Sequence, residues 1–274
     1  MIKIYTDTNV LRYFGSAFAA TALAEDLPVQ LLVSPLALME LLSQLGTDQA
    51  QEAFNAVQAL PRVHNQGPTG VLPWSDDFFR IAIFNEPPGE DVTTPLLNKA
   101  VNNVLNAIGP EDLRTAGEEM RDLLDREKNA AAENFAALLN SWRAEGPLPE
   151  QEHQTIFARS IARRAGVDAN SVDVDQVVDR LNALYTFEKQ KVEAAASSPN
   201  YNVTSRANDV YDTELLIYLA EPSLRLLTCD RGFRRARESS QANRIHIETI
   251  NSLQDADRVT ETLRRIVAAA EEED

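Results

Sequence analysis

Segments typical of buried strands occur near the two ends of this chain, and each lies next to a segment with helical spacing. The first two are residues 2–5 (IKIY) and 29–34 (VQLLVS), and the last two are 224–228 (LRLLT) and 244–250 (RIHIETI). Strands that alternate with helices predict parallel βαβ units and a sheet covered by helices on both faces. In such folds the functional site lies at the carboxyl ends of the strands.

The middle of the chain has a different pattern, because residues 47–205 contain long helical segments and one ambiguous strand-like run at 71–74. Breaks that contain proline and glycine separate these segments. The predicted fold is therefore α/β, with a central parallel sheet interrupted by a large all-helical insertion. Residues 1–46 and 206–274 would form one discontinuous domain, and residues 47–205 would form the insertion.

The chain carries a formal charge of −16, from 42 acidic and 26 basic residues. This charge excludes broad electrostatic capture of nucleic acid, so a polyanion would need a local basic patch or bound cations. A single cysteine excludes an intramolecular disulfide and a cysteine-rich zinc site, and three scattered histidines argue against a histidine one. Because no long apolar run or leader-like segment is found, we expect a cytoplasmic protein with no membrane partner.

Five acidic residues occupy comparable positions in these strand–helix units, at a strand end or in the first turns of a helix. They are Asp7, Glu40, Asp209, Asp212 and Asp230. Parallel strands bring their carboxyl ends to one edge of the sheet, so we expect these side chains to converge. Carboxylates held together repel one another, and one or two Mg²⁺ or Mn²⁺ ions would allow all of them to ionise. The sequence therefore predicts a divalent-metal site.

Such a site is suited to phosphodiester hydrolysis, in which bound metal ions activate water and stabilise the leaving oxygen. Arginines follow Asp230, and we interpret Arg231, Arg234 and Arg235 as contacts for nucleic acid. The alternative for this group is a solvated helix face whose arginines pair with nearby acids. Cys229 is interpreted as a small, partly buried residue rather than a nucleophile, because no histidine lies near it in sequence.

Motifs at both ends of the chain resemble those of the PIN-domain nucleases. YTDTNVLRYF, with Asp7 and Asn9, is similar to the family's opening strand and its acidic residue. Glu40 in SPLALMELLSQ resembles the acidic residue of the family's second conserved helix. DVYDTELLIYLA, with Asp212, and LLTCDRGF, with Asp230, resemble the family's acidic helix start, buried strand and Thr-x-Asp.

This resemblance implies a three-layer PIN-like fold and a metal-dependent endoribonuclease. It covers about residues 1–46 and 206–250, while the long insertion departs from the compact family pattern. The implied catalytic residues and metal ligands are Asp7, Glu40, Asp212 and Asp230, with Asp209 as a further ligand and Asn9 and Thr228 in support. The implied partner is nucleic acid, with RNA expected rather than DNA.

Other interpretations of the same residues stay open. A degenerate module of this fold would bind RNA or a protein partner through the helical insertion without cleaving anything. A phosphatase of the haloacid-dehalogenase type would need a second acid two positions after Asp7, where this chain has Asn9. Taken alone, Asp7 and Asn9 would also serve as an ordinary helix cap. The sequence is also compatible with a homo-oligomer.

Overall fold

The strands pair into one parallel sheet at the centre of the molecule. The structure is a computed structural model that describes residues 1–18, 27–63, 70–86, 93–198, 200–203 and 212–272. The strands are β1 (Ile2–Thr6), β2 (Val29–Val33), β3 (Leu224–Thr228) and β4 (Ile245–Ile247), in the spatial order β2-β1-β3-β4. All three pairings are parallel, which confirms the predicted α/β class with a parallel sheet.

Helices account for most of the remaining described residues. The α-helices are α1 (Thr8–Phe18), α2 (Pro35–Gln44), α3 (Ala50–Val63), α4 (Ser75–Phe84), α5 (Thr93–Asn106), α6 (Arg114–Glu145), α7 (Glu150–Arg164), α8 (Val174–Arg180), α9 (Asn182–Ala196) and α10 (Ala256–Glu271). Shorter 3₁₀ helices span Pro110–Leu113, Asp212–Ala220, Arg231–Glu238, Ala242–Arg244 and Ile250–Leu253. No helix of the described residues has the length and apolar character needed to cross a membrane.

The middle segment is helical in its described residues, with one short exception next to β2. Val71 forms an isolated parallel bridge with Val33, so the ambiguous run at 71–74 extends the sheet edge by a single pairing. The amide of Leu72 donates to the carbonyl of Val33 at 2.9 Å. The middle segment is therefore in direct contact with the edge of the sheet at this point.

Both faces of the sheet are buried, because successive strand residues point in opposite directions. On one face, Ile4 and Leu31 pack with α1 and α10. On the other face, Tyr5 and Leu226 share a hydrophobic core with residues of the middle segment that include Phe157 of α7. The helical middle segment and the sheet are thus joined by one continuous core.

Residues 172–196 have the sequence pattern of one continuous helix, but the helix is interrupted, and a buried glutamine explains the break. Leu181 separates α8 from α9 with φ −113° and ψ 30°. The Gln241 side chain takes over the interrupted backbone groups: it donates to the carbonyl of Arg180 at 2.8 Å and accepts from the amide of Ala183 at 2.9 Å. Two side-chain hydrogen bonds from a distant loop therefore replace helical ones at this point.

The helix predicted over 208–220 is a 3₁₀ helix in its described part, Asp212–Ala220. Side chains bind carbonyl oxygens along this segment. The Tyr5 hydroxyl donates to the carbonyl of Leu215 at 2.6 Å, and Gln241 and Arg244 donate to the carbonyl of Leu219 at 2.9 and 2.8 Å. These tertiary hydrogen bonds favour the tighter helix at a position where periodicity predicts an α-helix.

Helix α6 reaches the sheet edge because a glycine lets it approach the end of α2. A Cβ atom on Gly117 would lie 2.6 Å from the backbone nitrogen of Gly46. Arg121 fixes the same contact by donating to the carbonyl of Gly46 at 3.0 Å. About three helical turns further on, α6 places Lys128 beside α2.

We expect Gly117→Ala to lower the free energy of unfolding by about 1–2 kcal/mol, because overpacking of a close helix contact outweighs the better helix propensity of alanine. Urea denaturation followed by circular dichroism measures this change. Propensity alone predicts the opposite sign, so a stabilised variant would show that α6 does not depend on the close approach.

Candidate functional site

Four of the five predicted acidic residues line one cleft of about 270 Å³ at the carboxyl ends of the strands. They are Asp7, Glu40, Asp212 and Asp230, and we call this cavity the acid cleft. The predicted supporting residue Asn9 lines it too, whereas Asp209 lies outside the described residues. The register explains the convergence, since Thr6 is level with both Val33 and Leu227.

Asp7 is held by hydrogen bonds from three directions. The amide of Val10 donates to its Oδ1 at 2.8 Å, the Thr228 hydroxyl donates to its Oδ2 at 2.5 Å, and the amide of Cys229 is a further donor. Even so, burial raises the pKa of Asp7 to about 6, with a smaller contribution from Asp230. Asp7 is therefore both a helix cap and a carboxylate of the cleft.

Thr228 connects the two ends of the chain at this point. Its oxygen donates to Asp7 and accepts from the amide of Asp230 at 2.9 Å. The Asp230 carboxylate in turn accepts from the amide of Gly232 at 2.7 Å and caps the 3₁₀ helix Arg231–Glu238. The Thr-x-Asp motif thus fixes two carboxylates relative to each other.

Glu40 reaches the cleft from the middle of α2. Ser34 caps this helix by accepting from the amide of Ala37 at 3.1 Å, and Pro35 occupies the first helical position. The Glu40 carboxylate accepts a hydrogen bond from the Thr8 hydroxyl and an ion-paired one from Lys128. Glu40 therefore has two partners on separate helices.

Lys128 is a functional candidate that sequence analysis missed. Its Nζ lies 2.8 Å from Oε1 of Glu40, and the side chains of Lys128 and Glu40 are only 12% and 18% exposed. Lys128 comes from α6, 88 positions after its partner. No local pattern marks it, because α6 carries many charged residues at similar spacing.

Arg12 is a second missed residue of the cleft. Its Nη2 donates to Gln49 at 3.0 Å, while its Nε is buried with no hydrogen-bond partner among the described residues. Helical spacing could have indicated it, since Arg12 follows Thr8 by four positions on α1. Arg12 and Lys128 give the acid cleft two cationic side chains.

The pKa of Asp212 is raised further than that of Asp7. Burial raises its pKa to about 8, and Glu40, Asp230 and Asp7 add to this rise, while Lys128 opposes it. The Asp212 side chain makes no hydrogen bond to another described residue. Its negative charge is thus poorly compensated and would be stabilised by a cation in the cleft.

The donor chemistry of the cleft fits a hard divalent ion, because carboxylate oxygens are the ligands that Mg²⁺ and Mn²⁺ prefer. Within the part of the chain that the structure describes, however, no three aspartate, glutamate, histidine or cysteine side chains are grouped so that they could hold a metal ion. Glu40 is instead paired with Lys128. Metal binding would therefore require the carboxylates to move closer together.

The predicted arginine contacts lie outside the cleft. Arg231 and Arg234 are exposed, and the guanidinium of Arg235 lies 5.9 Å from the centre of the Phe187 ring. None of the three lines the acid cleft, whereas Phe233 from the same segment does.

Cys229 has the partly buried position expected from the sequence, and His153 also packs away from solvent. Cys229 is partly buried, and burial raises the pKa of its thiol to about 12, with Asp7 and Glu248 contributing. His153 is buried, and its Nδ1 lies 3.2 Å from the Tyr185 hydroxyl. Neither residue lines the acid cleft.

No protein-family model, curated protein or solved structure matches this chain. The inference of function rests on the geometry of the acid cleft and on the motifs that line it.

Asp212→Asn should stabilise the metal-free protein at high pH. The folded-state pKa of about 8 exceeds the value of about 3.9 for an unfolded aspartate, so the folded protein binds more protons between these values. The contribution of Asp212 to the free energy of unfolding therefore falls as pH rises from about 4 to 8. In EDTA we expect the variant to melt above the wild type at about pH 8.5 and close to it at about pH 5.

Asp122→Asn is the matched control, because Asp122 is an exposed aspartate on α6. Asp122→Asn should melt close to the wild type at both pH values, so the pH dependence of the melting temperature should not change. An Asp212→Asn protein that melts below the wild type at the higher pH would mean that the carboxylate stabilises the fold rather than straining it.

Proposed function

We propose that this protein is a divalent-metal-dependent nuclease with a PIN-like fold, and that it acts as an endoribonuclease. The observation that carries the proposal is the convergence of Asp7, Glu40, Asp212 and Asp230 in one cleft, from positions up to 223 residues apart in sequence. Carboxylates gathered in this way are suited to phosphodiester hydrolysis with Mg²⁺ or Mn²⁺. The resemblance to PIN-domain nucleases supports RNA as the substrate.

The four carboxylates would hold Mg²⁺ or Mn²⁺, which when bound supplies a polarised water and offsets negative charge on the scissile phosphate. Thr228 and the amide of Val10 keep the Asp7 carboxylate pointed into the cleft. Asn9 offers an uncharged amide at the same rim. The protein would therefore contribute carboxylate and amide oxygens at the edge of the sheet.

Two cations of the cleft would contact the substrate backbone. Arg12 lines the acid cleft, and Lys128 already places an ammonium beside Glu40. Guanidinium and ammonium groups bind phosphate oxygens through charge-assisted hydrogen bonds. Their positive charge would locally offset the repulsion between a polyanion and a protein with a net charge of −16.

Asp7→Asn tests the metal-dependent reaction. Cleavage of a fluorescent single-stranded RNA in Mn²⁺ should fall by about 100-fold or more, because one oxygen donor to the metal is lost. In EDTA the variant should melt at or slightly above the wild-type temperature, since Asn keeps the Oδ1 that caps Val10 and relieves repulsion. Mn²⁺ should raise the melting temperature of the wild type but much less that of the variant. Unfolding of the metal-free variant would make Asp7 mainly a helix cap.

Lys128→Met tests whether lysine and metal supply the same positive charge. In EDTA the variant should lose about 2–4 kcal/mol of unfolding free energy, because a largely buried Glu40 loses its cationic partner and keeps only the Thr8 hydroxyl. Saturating Mn²⁺ should restore most of this loss. Chemical denaturation with and without Mn²⁺ measures both quantities.

Lys189→Met is the matched control for that variant. Lys189 pairs with Glu150 at a more exposed position, where the side chains are 32% and 52% exposed. Its loss should cost less than about 1 kcal/mol and should not depend on Mn²⁺. A Lys128→Met deficit that Mn²⁺ leaves unchanged would mean that Lys128 only joins α6 to α2.

A catalytically degenerate RNA- or protein-binding module is the second candidate. The Lys128–Glu40 ion pair favours it, because an ammonium already balances part of the cleft charge. Removing all four acids distinguishes the two functions. A module would bind its partner unchanged after Asp7→Asn, Glu40→Gln, Asp212→Asn and Asp230→Asn, and the wild type would cleave neither RNA nor DNA in Mn²⁺.

A further inference from the structure

A second cavity, of about 570 Å³, lies directly beside the acid cleft, and we call it the inner pocket. Leu36 lines both cavities. Asp212 lines the acid cleft, and the next residue, Thr213, lines the inner pocket. On α6, Lys128 lines the cleft and Glu127 lines the pocket. A strand held at the acid cleft could therefore place an adjacent group in the inner pocket.

The walls of the inner pocket are suited to a flat ring. Its volume falls within the range of about 300–1,000 Å³ that is usual for small-ligand sites. Trp74, Phe135 and Tyr218 contribute aromatic side chains, and Leu36 and Leu138 contribute aliphatic ones. Unpaired nucleobases bind to proteins by stacking on aromatic side chains of this kind.

The charges of the inner pocket disfavour a phosphate. Its lining contains the acids Asp76, Glu127, Glu188 and Glu214, against the bases Arg164 and Lys191. Arg164 is occupied, because its guanidinium binds Asp76 at 2.6 Å and Glu214 at 2.8 Å. An uncharged ring that carries N–H donors suits this balance better than an anion does.

Glu188 is the one partly buried acid of the pocket lining that no described residue supplies with a hydrogen-bond donor, whereas Glu127 is exposed. Its side chain makes no hydrogen bond to another described residue. Burial raises its pKa to about 7, Glu214 raises it further, and Arg164 and Lys191 oppose the rise from a distance. A ligand that donates hydrogen bonds would stabilise the Glu188 carboxylate, which receives none from the described residues.

We propose that the inner pocket binds one unpaired nucleobase of the substrate strand, that Glu188 accepts hydrogen bonds from its Watson–Crick edge, and that guanine is the preferred base. Guanine presents N1–H and N2–H side by side, which matches the two oxygens of a carboxylate. Adenine and cytosine each present one amino group beside an unprotonated ring nitrogen, which would face the carboxylate unfavourably. The idea that the bound base belongs to a strand held at the acid cleft rests on the proposed nuclease function. Binding of the base itself does not.

Binding without metal tests this site apart from cleavage. The probes are fluorescein-labelled oligouridylates that carry one central guanosine, inosine or adenosine, and fluorescence anisotropy measures their affinity for the full chain in EDTA. We expect the guanosine probe to bind at least about ten-fold more tightly than the adenosine probe. Inosine lacks the 2-amino group and should fall between them.

Glu188→Gln should remove the preference for guanosine, because its amide group replaces one of the two acceptor oxygens with a donor. Glu193→Gln is the matched control, since Glu193 is an exposed residue five positions further along α9 and should keep the preference. Equal affinity of wild type for all three probes would overturn the proposal, and so would a guanosine preference that Glu188→Gln leaves intact. The comparison of guanosine with inosine needs no variant and so does not depend on how Glu188→Gln folds.

Parallel cleavage assays in Mn²⁺ separate this proposal from the nuclease function. One outcome is cleavage that Asp7→Asn abolishes but that depends neither on the identity of the base nor on Glu188. That outcome would support the nuclease function and overturn the base site. A guanosine preference dependent on Glu188 in a protein that cleaves nothing would support the base site and favour the binding module.

Discussion

Parallel pairing of β1 with β3 is the constraint on which the site depends. It joins residues more than 220 positions apart, and the Thr228 hydroxyl locks the junction by donating to Asp7 at 2.5 Å. Closing so long a loop costs conformational entropy, which is offset by a sheet buried on both faces. Once this pairing is set, the residues after each strand have no freedom to separate. The carboxylates are gathered by the backbone, whatever their mutual repulsion.

Repulsion within the acid cleft is relieved partly by a lysine that the sheet itself does not supply. Lys128 depends on the position of α6, which Gly117 allows to approach α2, so helix packing controls the electrostatics of the sheet edge. Two charges a few ångströms apart interact strongly where water is scarce. Burial is the main cause of the raised pKa values of Asp7 and Asp212, and neighbouring carboxylates of the cleft add to both. The cleft is left with a need for positive charge that a divalent ion would meet.

The sequence allowed the strands and the convergence of acids to be predicted, because both follow from local patterns and from the shared edge of parallel strands. Lys128 could not be predicted, since its partner lies 88 positions away and nothing in α6 distinguishes it from neighbouring charges. The break at Leu181 was missed for a related reason: it depends on a Gln241 side chain from a loop about 60 positions later. The arginines after Asp230 stay predicted contacts for nucleic acid: Arg231 and Arg234 face solvent outside the acid cleft, and Phe233 between them turns inward. Asp209 lies outside the described residues.

The overall charge bears on how such a cleft would hold its substrate. Proteins that bind nucleic acid through many phosphate contacts gain affinity from released counterions, and they are basic where they bind. This chain carries −16, and among the described residues that line its acid cleft only Arg12 and Lys128 are cationic. Affinity would then have to come from groups other than phosphates. The pocket of about 570 Å³ next to the cleft has aromatic side chains on which a base of the substrate would stack. A stacked base adds contacts without bringing negative charge into an acidic protein. The inner pocket and the acid cleft thus complement each other: one would hold the strand by a neutral base, and the other would face its charged backbone.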